Sequence, residues 1–251
     1  MLTTQRKLML LAMLKQDGKI LATSTAAALH VSEDTIRRDL RELAREGLLQ
    51  RVHGGALPAS PAMANFAARQ QIAVDDKSAI GRAAAKLIQP GQVVFIDGGT
   101  TSAQLVRHVA HDLHATVITH SPSVAVGLST HPHIEVIMLG GRLFKHSVVG
   151  VGAATVQAIG QVRADLYFMG VCSVHPEAGL STGDFEEACV KRALAAAAAE
   201  TIVLASLEKL ATASPYQVIA LDALSGLVTV GTVADDLLAP YRQRGISIYL
   251  A

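Results

Sequence analysis

Of the 251 residues none is tryptophan, nine are phenylalanine or tyrosine, and two are cysteine. So few rings disfavour a ligand pocket built on aromatic stacking. Cys172 and Cys189 are too few and too isolated for a disulfide framework or a metal knuckle, and a reducing cytoplasm fits them. Long apolar runs are also missing: charges interrupt every candidate, so nothing approaches a membrane span. Arg6-Lys7 followed by Leu8 to Leu14 faintly imitates a secretory signal. No small-residue cleavage site follows, however, and the run passes into Lys15-Gln16-Asp17-Gly18-Lys19. There is no low-complexity tract, no Walker lysine and no GxGxxG. Neither sign of charge dominates, with 22 basic against 21 acidic residues. What is present is a chain half of whose residues are hydrophobic, long enough for one small and one full-sized globular domain.

The charge is unevenly spread. Residues 1–57 hold nine Lys/Arg against six Asp/Glu, leaving thirteen against fifteen for the remainder. A small basic module on a mildly acidic body suits a nucleic-acid reader, although it is far from the footprint of a non-specific binder. Affinity would then lean on dimerisation. The most informative stretch in that module is Val31 to Leu40, VSEDTIRRDL. Ser32 is a good N-cap, and Glu33 and Asp34 put negative charge where the helix dipole favours it. At 100° per residue Ile36, Leu40 and Leu43 fall on one side, and Asp34, Arg38, Arg41 and Arg45 on the other. An arginine-rich face is by default a solvated one, and Glu33–Arg37 and Asp34–Arg38 make ordinary i,i+4 pairs. Context favours a reader: a helix over Gln5 to Lys15 ended by Asp17-Gly18, a short helix over Ser24 to His30, a turn at Val31-Ser32, then the basic helix, stopped by Gly47. That is helix-turn-helix order. Leu48 to His53 is predicted extended, and Gly54-Gly55 suits a hairpin turn, which makes a wing with Arg51 and His53 on one face.

VSEDTIRRDL, Glu42-Leu43, Gly47 and Arg51-Val52-His53-Gly54-Gly55-Ala56 together resemble the N-terminal signature of the DeoR family of bacterial transcriptional regulators. The match covers about the first fifth of the chain. The resemblance implies a winged helix-turn-helix that binds operator DNA, usually as a repressor, with contacts to bases or phosphates from Ser32, Thr35, Arg37, Arg38, Arg41, Arg51 and His53.

Leu57-Pro58-Ala59-Ser60-Pro61-Ala62 is small, Pro-bearing and uncharged, and a new helical pattern begins near Lys77. The predicted organisation is a reader over 1–57, a linker over 58–75 and an α/β domain over 76–251. Within that domain β-rich runs alternate with helical segments: Val93 to Asp97, Thr116 to Thr119, Ile134 to Leu139, Leu166 to Val171, Thr201 to Leu204, Leu227 to Val230 and Ile246 to Leu250. The alternation predicts βα units and a mostly parallel sheet, and runs apolar on both faces are what buried parallel strands require.

In such sheets ligands bind beyond the carboxyl ends of the strands. Asp97 runs into Gly98-Gly99-Thr100-Thr101 and a helix expected from Ser102 to Asp112, a combination suited to a phosphate or another anion. A plain strand-to-helix turn with threonine capping reads equally well there. Gly140-Gly141-Arg142 adds a second glycine loop with an arginine fit for bidentate phosphate contact, or simply a solvated charge. Glu187 and Lys191 lie at i,i+4, for which a surface pair is the default. His108, His111 and His114 sit at three-residue steps, and His131 and His133 flank a proline. Such a step drifts around a helix by about 60°, with no carboxylate or cysteine cluster nearby, so these read as solvated or capping histidines and no metal is expected.

The segments IDGGTT, VITHS, LGGR, GVCSV, EEACVKRAL and SLEK, between about Lys77 and Lys209, resemble the effector domain of the same family. That domain looks like the ribose-phosphate isomerase and CoA-transferase fold and senses phosphorylated sugars or related metabolites. The resemblance implies effector contacts at Asp97, Gly98, Gly99, Thr100, Thr101, Thr119, Gly140, Gly141, Arg142, Gly170, Lys191 and Lys209. It departs from the family at three places: His120 stands for a usual asparagine, Ser206 for a usual aspartate, and Val230-Gly231 for a usual Thr-Asp. The first two would change hydrogen bonding or charge at the pocket. The expected protein is a cytoplasmic, homo-oligomeric repressor, dimer or tetramer, of a carbohydrate or related operon. Its partners are operator DNA and a phosphorylated sugar or polyol, with no cofactor. The rival is an isomerase-like enzyme, for which Asp97, Asp184 and Glu187 are the candidate bases, each with a structural alternative as strand-end cap, loop charge or ion-pair partner. A winged helix favours the regulator.

Overall fold

A computed structural model describes residues 2–251. The N-terminal module runs α1 (Thr3–Asp17), β1 (Ile20–Leu21), α2 (Ala22–Ala28), α3 (Glu33–Arg45), β2 (Leu49–Val52) and β3 (Gly55–Pro58). Gly18, at φ 70°, ends α1, and the Ser32 hydroxyl caps α3 by accepting from Thr35 N at 3.2 Å. Strands β2 and β3 pair antiparallel as the wing, and β1 adds to β3. Leu10, Leu14, Ile36, Leu40 and Leu43 close a core of their own, so the apolar stripe of α3 faces inward as its period requires.

Residues 58–75, which composition marks as a linker, are shaped: a 3₁₀ turn over Pro61–Met63 is followed by α4 (Phe66–Arg69), and Ser60, Ala62 and Arg69 are buried. Helix α5 (Val74–Ala85) then enters the body. There β4 (Val93–Ile96), α6 (Thr100–Leu105), β5 (Ala115–Thr119), α7 (Pro122–Leu128) and β6 (Ile134–Met138) alternate. A hairpin of β7 (Arg142–Phe144) and β8 (Val149–Val151) leads to α8 (Ala153–Ile159) and β9 (Ala164–Gly170). Next come β10 (Ser173–His175), β11 (Gly179–Thr182), α9 (Phe185–Ala196), β12 (Ala198–Leu204) and β13 (Tyr216–Ile219). The chain closes with β14 (Gly226–Thr229), α10 (Asp235–Arg242) and β15 (Ser247–Leu250).

All seven runs read as strands from the sequence form one seven-stranded sheet, ordered β15-β14-β12-β9-β4-β5-β6 and parallel at every pairing. Strands β10, β11 and β13 form a separate antiparallel sheet that hydropathy did not announce. The expected helix from Ser102 to Asp112 is instead α6 followed by a 3₁₀ turn over Val106–His108. His111 and His114 therefore lie beyond helical structure. His114 stacks on His133 at 4.1 Å, and His131 Nε2 meets the Ala110 carbonyl at 2.9 Å. No cluster fit to hold a metal ion occurs among the described residues.

The chain order reverses between β4 and β9: β5 and β6 continue on one side of β4, whereas β9, β12 and β14 continue on the other. At such a switch point the loops diverge and leave a crevice at the strands' carboxyl ends. The loop after β4 and the end of β9 meet there. A Cβ on Gly170 would lie 2.7 Å from the Gly98 carbonyl oxygen, and one on Gly98 would lie 2.1 Å from Val149 Cγ1, so neither position admits a side chain.

Candidate effector cavity and DNA-reading face

Asp97, at the tip of β4, is fully buried and accepts from five donors. These are Gly98 N (2.7 Å), His120 Nε2 (2.8 Å), the Tyr167 hydroxyl (2.8 Å), Gly170 N (3.0 Å) and Lys191 Nζ (2.6 Å). Burial alone would raise its pKa, but the Lys191 charge and the His120 hydrogen bond outweigh it and hold the carboxyl well below the usual carboxylate range. Burial works against the Lys191 ammonium as well, and the charges of Asp97 and Glu187 reverse it and raise its pKa. Glu187 lies 3.3 Å from Lys191 Nζ and accepts from the hydroxyls of Ser147 and Thr182, each at 3.3 Å. The surface pair expected of Glu187 and Lys191 is therefore a buried one, fixed to the strand tip.

In front of this network lies a narrow cavity that opens to solvent. Of the twelve positions expected to contact an effector, Gly98, Gly99, Thr100, Thr101, Gly170, Lys191 and Lys209 line it. Asp97 and Thr119 do not: Asp97 stands behind the wall, and the Thr119 hydroxyl donates to the Ile96 carbonyl at 2.6 Å, bracing β5 against β4. Gly140, Gly141 and Arg142 also lie outside. The Gly140 carbonyl accepts from the Thr155 hydroxyl at 2.7 Å and Arg142 is exposed, because β6 is an edge strand and its loop feeds the β7–β8 hairpin rather than the switch point. The three departures from the family pattern miss the cavity too. His120 bridges Asp97 and the Gly150 carbonyl (2.8 Å each), Ser206 donates to Glu208 at 2.6 Å, and Gly231 N bonds the Ala251 carbonyl at 3.2 Å.

Sequence reasoning missed several wall residues: Arg69, Lys77, Ser102, Ser147, Cys172 and Glu208. Arg69 and Lys77 come from the segment between wing and sheet, where no motif marks them and Lys77 stands out only as the start of a helical pattern. Arg69 Nε, Thr101 Oγ1 and Ser102 Oγ are buried with no hydrogen-bond partner. Lys209 is buried, and burial pushes its ammonium down to about 8, against the opposing charge of Glu208. Burial lowers Lys77 as well, while its Nζ donates to the carbonyls of Arg69 (2.6 Å) and Ile72 (2.5 Å). Unmet donors and costly cations around one small space have the chemistry to accept an anion that carries hydroxyls. Helix α6 is only six residues long, so side chains carry more of that task than its dipole.

Of the three candidate bases, Asp97 is saturated by its donors, Asp184 is the N-cap of α9 and accepts from Glu187 N at 2.9 Å, and Glu187 is held by Lys191, Ser147 and Thr182.

At the other end of the molecule, Arg38, Arg41 and Arg45 are exposed on α3, and Arg51 and His53 are exposed on the wing. Ser32 and Thr35 bond each other at the cap, with hydroxyls 2.9 Å apart. Arg37 is exposed but clamped to Glu33 at 2.5 Å, whereas Arg38 and Arg41 have no ion pair among the described residues. The Asp39 of the same motif points inward, fully buried against Arg6 of α1.

A DeoR-like helix-turn-helix model matches residues 6–61, and a DeoR C terminal sensor domain model matches residues 72–230. The HTH-type transcriptional regulator GlpR of Haloferax volcanii is 31% identical over 250 residues, covering 99% of this chain and 98% of that protein. The HTH-type transcriptional repressor GlcR of Bacillus subtilis is 32% identical, covering 90% and 87%. The glycerol-3-phosphate regulon repressor of Escherichia coli is 32% identical, covering 76% of each. Among solved structures, ribose 5-phosphate isomerase A of Methanocaldococcus jannaschii aligns over 54% of each chain at 20% identity and a TM-score of 0.39. No helix among the described residues is long and apolar enough to cross a membrane. With both domains matched in order and one relative aligned almost end to end, this chain belongs to the DeoR family of transcriptional regulators.

Proposed function

We propose that the protein is an operator-binding repressor of a carbohydrate or related operon, controlled by a phosphorylated sugar or polyol held in the switch-point cavity. The observation that carries this is the set of unmet groups on residues lining the cavity, Arg69 Nε, Thr101 Oγ1 and Ser102 Oγ, together with a buried Lys209. A phosphate supplies acceptors to all of them, and the hydroxyls of a polyol can meet Glu187 and Glu208. Ligand and operator binding are linked because the ligand prefers one arrangement of reader and body over the other. The protein acts in the cytoplasm as a homo-oligomer, dimer or tetramer, which gives a modestly basic reader two half-sites. Each of the three candidate bases, Asp97, Asp184 and Glu187, is engaged by partners within the protein, which favours sensing over isomerisation.

The test is a thermal-shift panel of phosphorylated sugars and polyols, with product analysis of each hit. A stabilising ligand that is not consumed supports the reading; sustained turnover replaces it with the enzyme. Operator affinity at fixed salt must change when that ligand saturates, and an unchanged affinity removes the switch.

A further inference from the structure

The wing does not hang from the body by a free tether. Beyond β3, the Pro58 carbonyl accepts from Ala213 N at 3.1 Å, Ala59 bridges Ala213, and the Ser60 hydroxyl donates to the Cys172 carbonyl. Phe66 N then bonds the His146 carbonyl at 2.8 Å, and α4 aims Arg69 into the cavity. There Arg69 Nη2 donates to Ser147 Oγ at 3.2 Å, while its Nε has no partner and the side chain makes no ion pair among the described residues, although the residue is only 9% exposed. Lys77 locks the far end of α4 through the carbonyls of Arg69 and Ile72. The opposite wall has the same connection: Lys209 lines the cavity, the Thr212 hydroxyl donates to the Lys209 carbonyl at 2.8 Å, and the next residue, Ala213, holds the wing's root.

We propose that Arg69 is the direct partner of the ligand's anionic group, and that the strap carrying it, residues 59–77, transmits the cavity's occupancy to the wing. This rests on the reading that the cavity takes a phosphorylated ligand. A buried guanidinium with no direct ion pair, linked to the Glu187 carboxylate only through the shared Ser147 hydroxyl, raises the free energy of the empty state, and an anion that pairs with it removes that cost only where strap and cavity wall are in register. The strap's position, and with it the root of β3, therefore depends on the ligand's charge rather than on its sugar.

The full chain is tested with inorganic phosphate as the probe, against chloride at equal ionic strength. Phosphate is expected to raise the melting temperature of the wild type and to slow hydrogen exchange at the wing amides of residues 51–57. Arg69→Met should weaken phosphate binding about tenfold or more while leaving the empty protein no less stable, since it removes an unpaired buried charge. Arg69→Lys, which keeps the charge but not the fork, should fall between them and serves if the methionine variant does not fold. Ser60→Ala should keep phosphate binding and lose part of the wing's response. Undiminished phosphate binding by either Arg69 variant overturns the assignment, and a wild-type wing indifferent to bound phosphate overturns the transmission. If phosphate does not stabilise even the wild type, the cavity reading itself falls, and this inference with it.

Discussion

Single side chains here do work that their sequence neighbourhood conceals. Asp39 sits in the middle of a DNA-reading motif yet is fully buried against Arg6, so TIRRDL contains a core ion pair as well as a reading face. Replacing Asp39 by asparagine leaves the Arg6 guanidinium buried without a counter-charge. The expected cost is about 3 kcal/mol in chemical denaturation of the full chain, and a loss below roughly 1 kcal/mol would mean the pair is dispensable. Lys209 makes a different prediction, through pH. Its folded pKa, pushed down to about 8 by burial, lies below the ordinary 10.5, so between those values the unfolded chain holds a proton that the folded one has shed. The penalty of burying the charge is therefore full below pH 8 and lifts as pH rises to 10.5. The melting-temperature gain of Lys209→Met over the wild type should shrink across that window; a gain that grows with pH contradicts the assignment. By the same linkage, phosphate binding should take up protons and weaken as pH climbs past 8.

At the scale of elements, the sequence was most legible where a period was long and one-sided. The stripe of α3 buries Ile36, Leu40 and Leu43 and leaves Arg38, Arg41 and Arg45 in solvent, as 100° per residue requires. On that face Arg38→Ala should weaken operator binding at fixed salt, shift the melting temperature little, and leave ligand stabilisation unchanged. Unfolding of the reader by this substitution would mean that the face is misassigned. The seven buried parallel strands were equally legible, since both of their faces demand apolar residues. Strands β10, β11 and β13 were not, because their residues are short mixtures such as Ser173–His175 and Gly179–Thr182 whose pairing is decided by partners far along the chain. The glycine loop after β4 was found because its motif is local. Arg69 and Lys77 were not, because their role arises only when the segment carrying them folds back beside the glycine loop after β4. Gly140, Gly141 and Arg142 show the converse: a loop with the right residues at the end of an edge strand does not reach a crevice placed by the strand order.

For the molecule as a whole, most buried apolar residues fall in two clusters, one within the reader and one within the body, while Leu57, Ala62, Cys172 and Ala213 are buried at the joint outside both. Between them lie mostly polar links: the Pro58–Ala213 and Ser60–Cys172 hydrogen bonds, and an exposed Lys19–Glu177 pair at 3.2 Å. Such a surface pair is worth less than about 1 kcal/mol, so the strap's hydrogen bonds and few buried side chains set the mutual position of reader and body, and a shift there leaves each core intact. A ligand can then redirect the reader without having to remodel either core.

The strap also decides where this protein can be cut and rejoined. A recombinant sensor that borrows the body to drive a foreign DNA reader would naturally be spliced at Pro58, where the wing ends and both cores remain whole. Such a splice keeps Arg69 with the body, yet it replaces the Pro58 end of the hydrogen bond to Ala213 with whatever residue the foreign reader supplies. The chimera would fold, bind its DNA and bind its metabolite, and the two events would be uncoupled to the extent that the joint disturbs that one contact. Moving the splice upstream into the β2–β3 hairpin keeps that contact, but it requires the foreign reader to pair with native β3 and to accept Ala56 into its core.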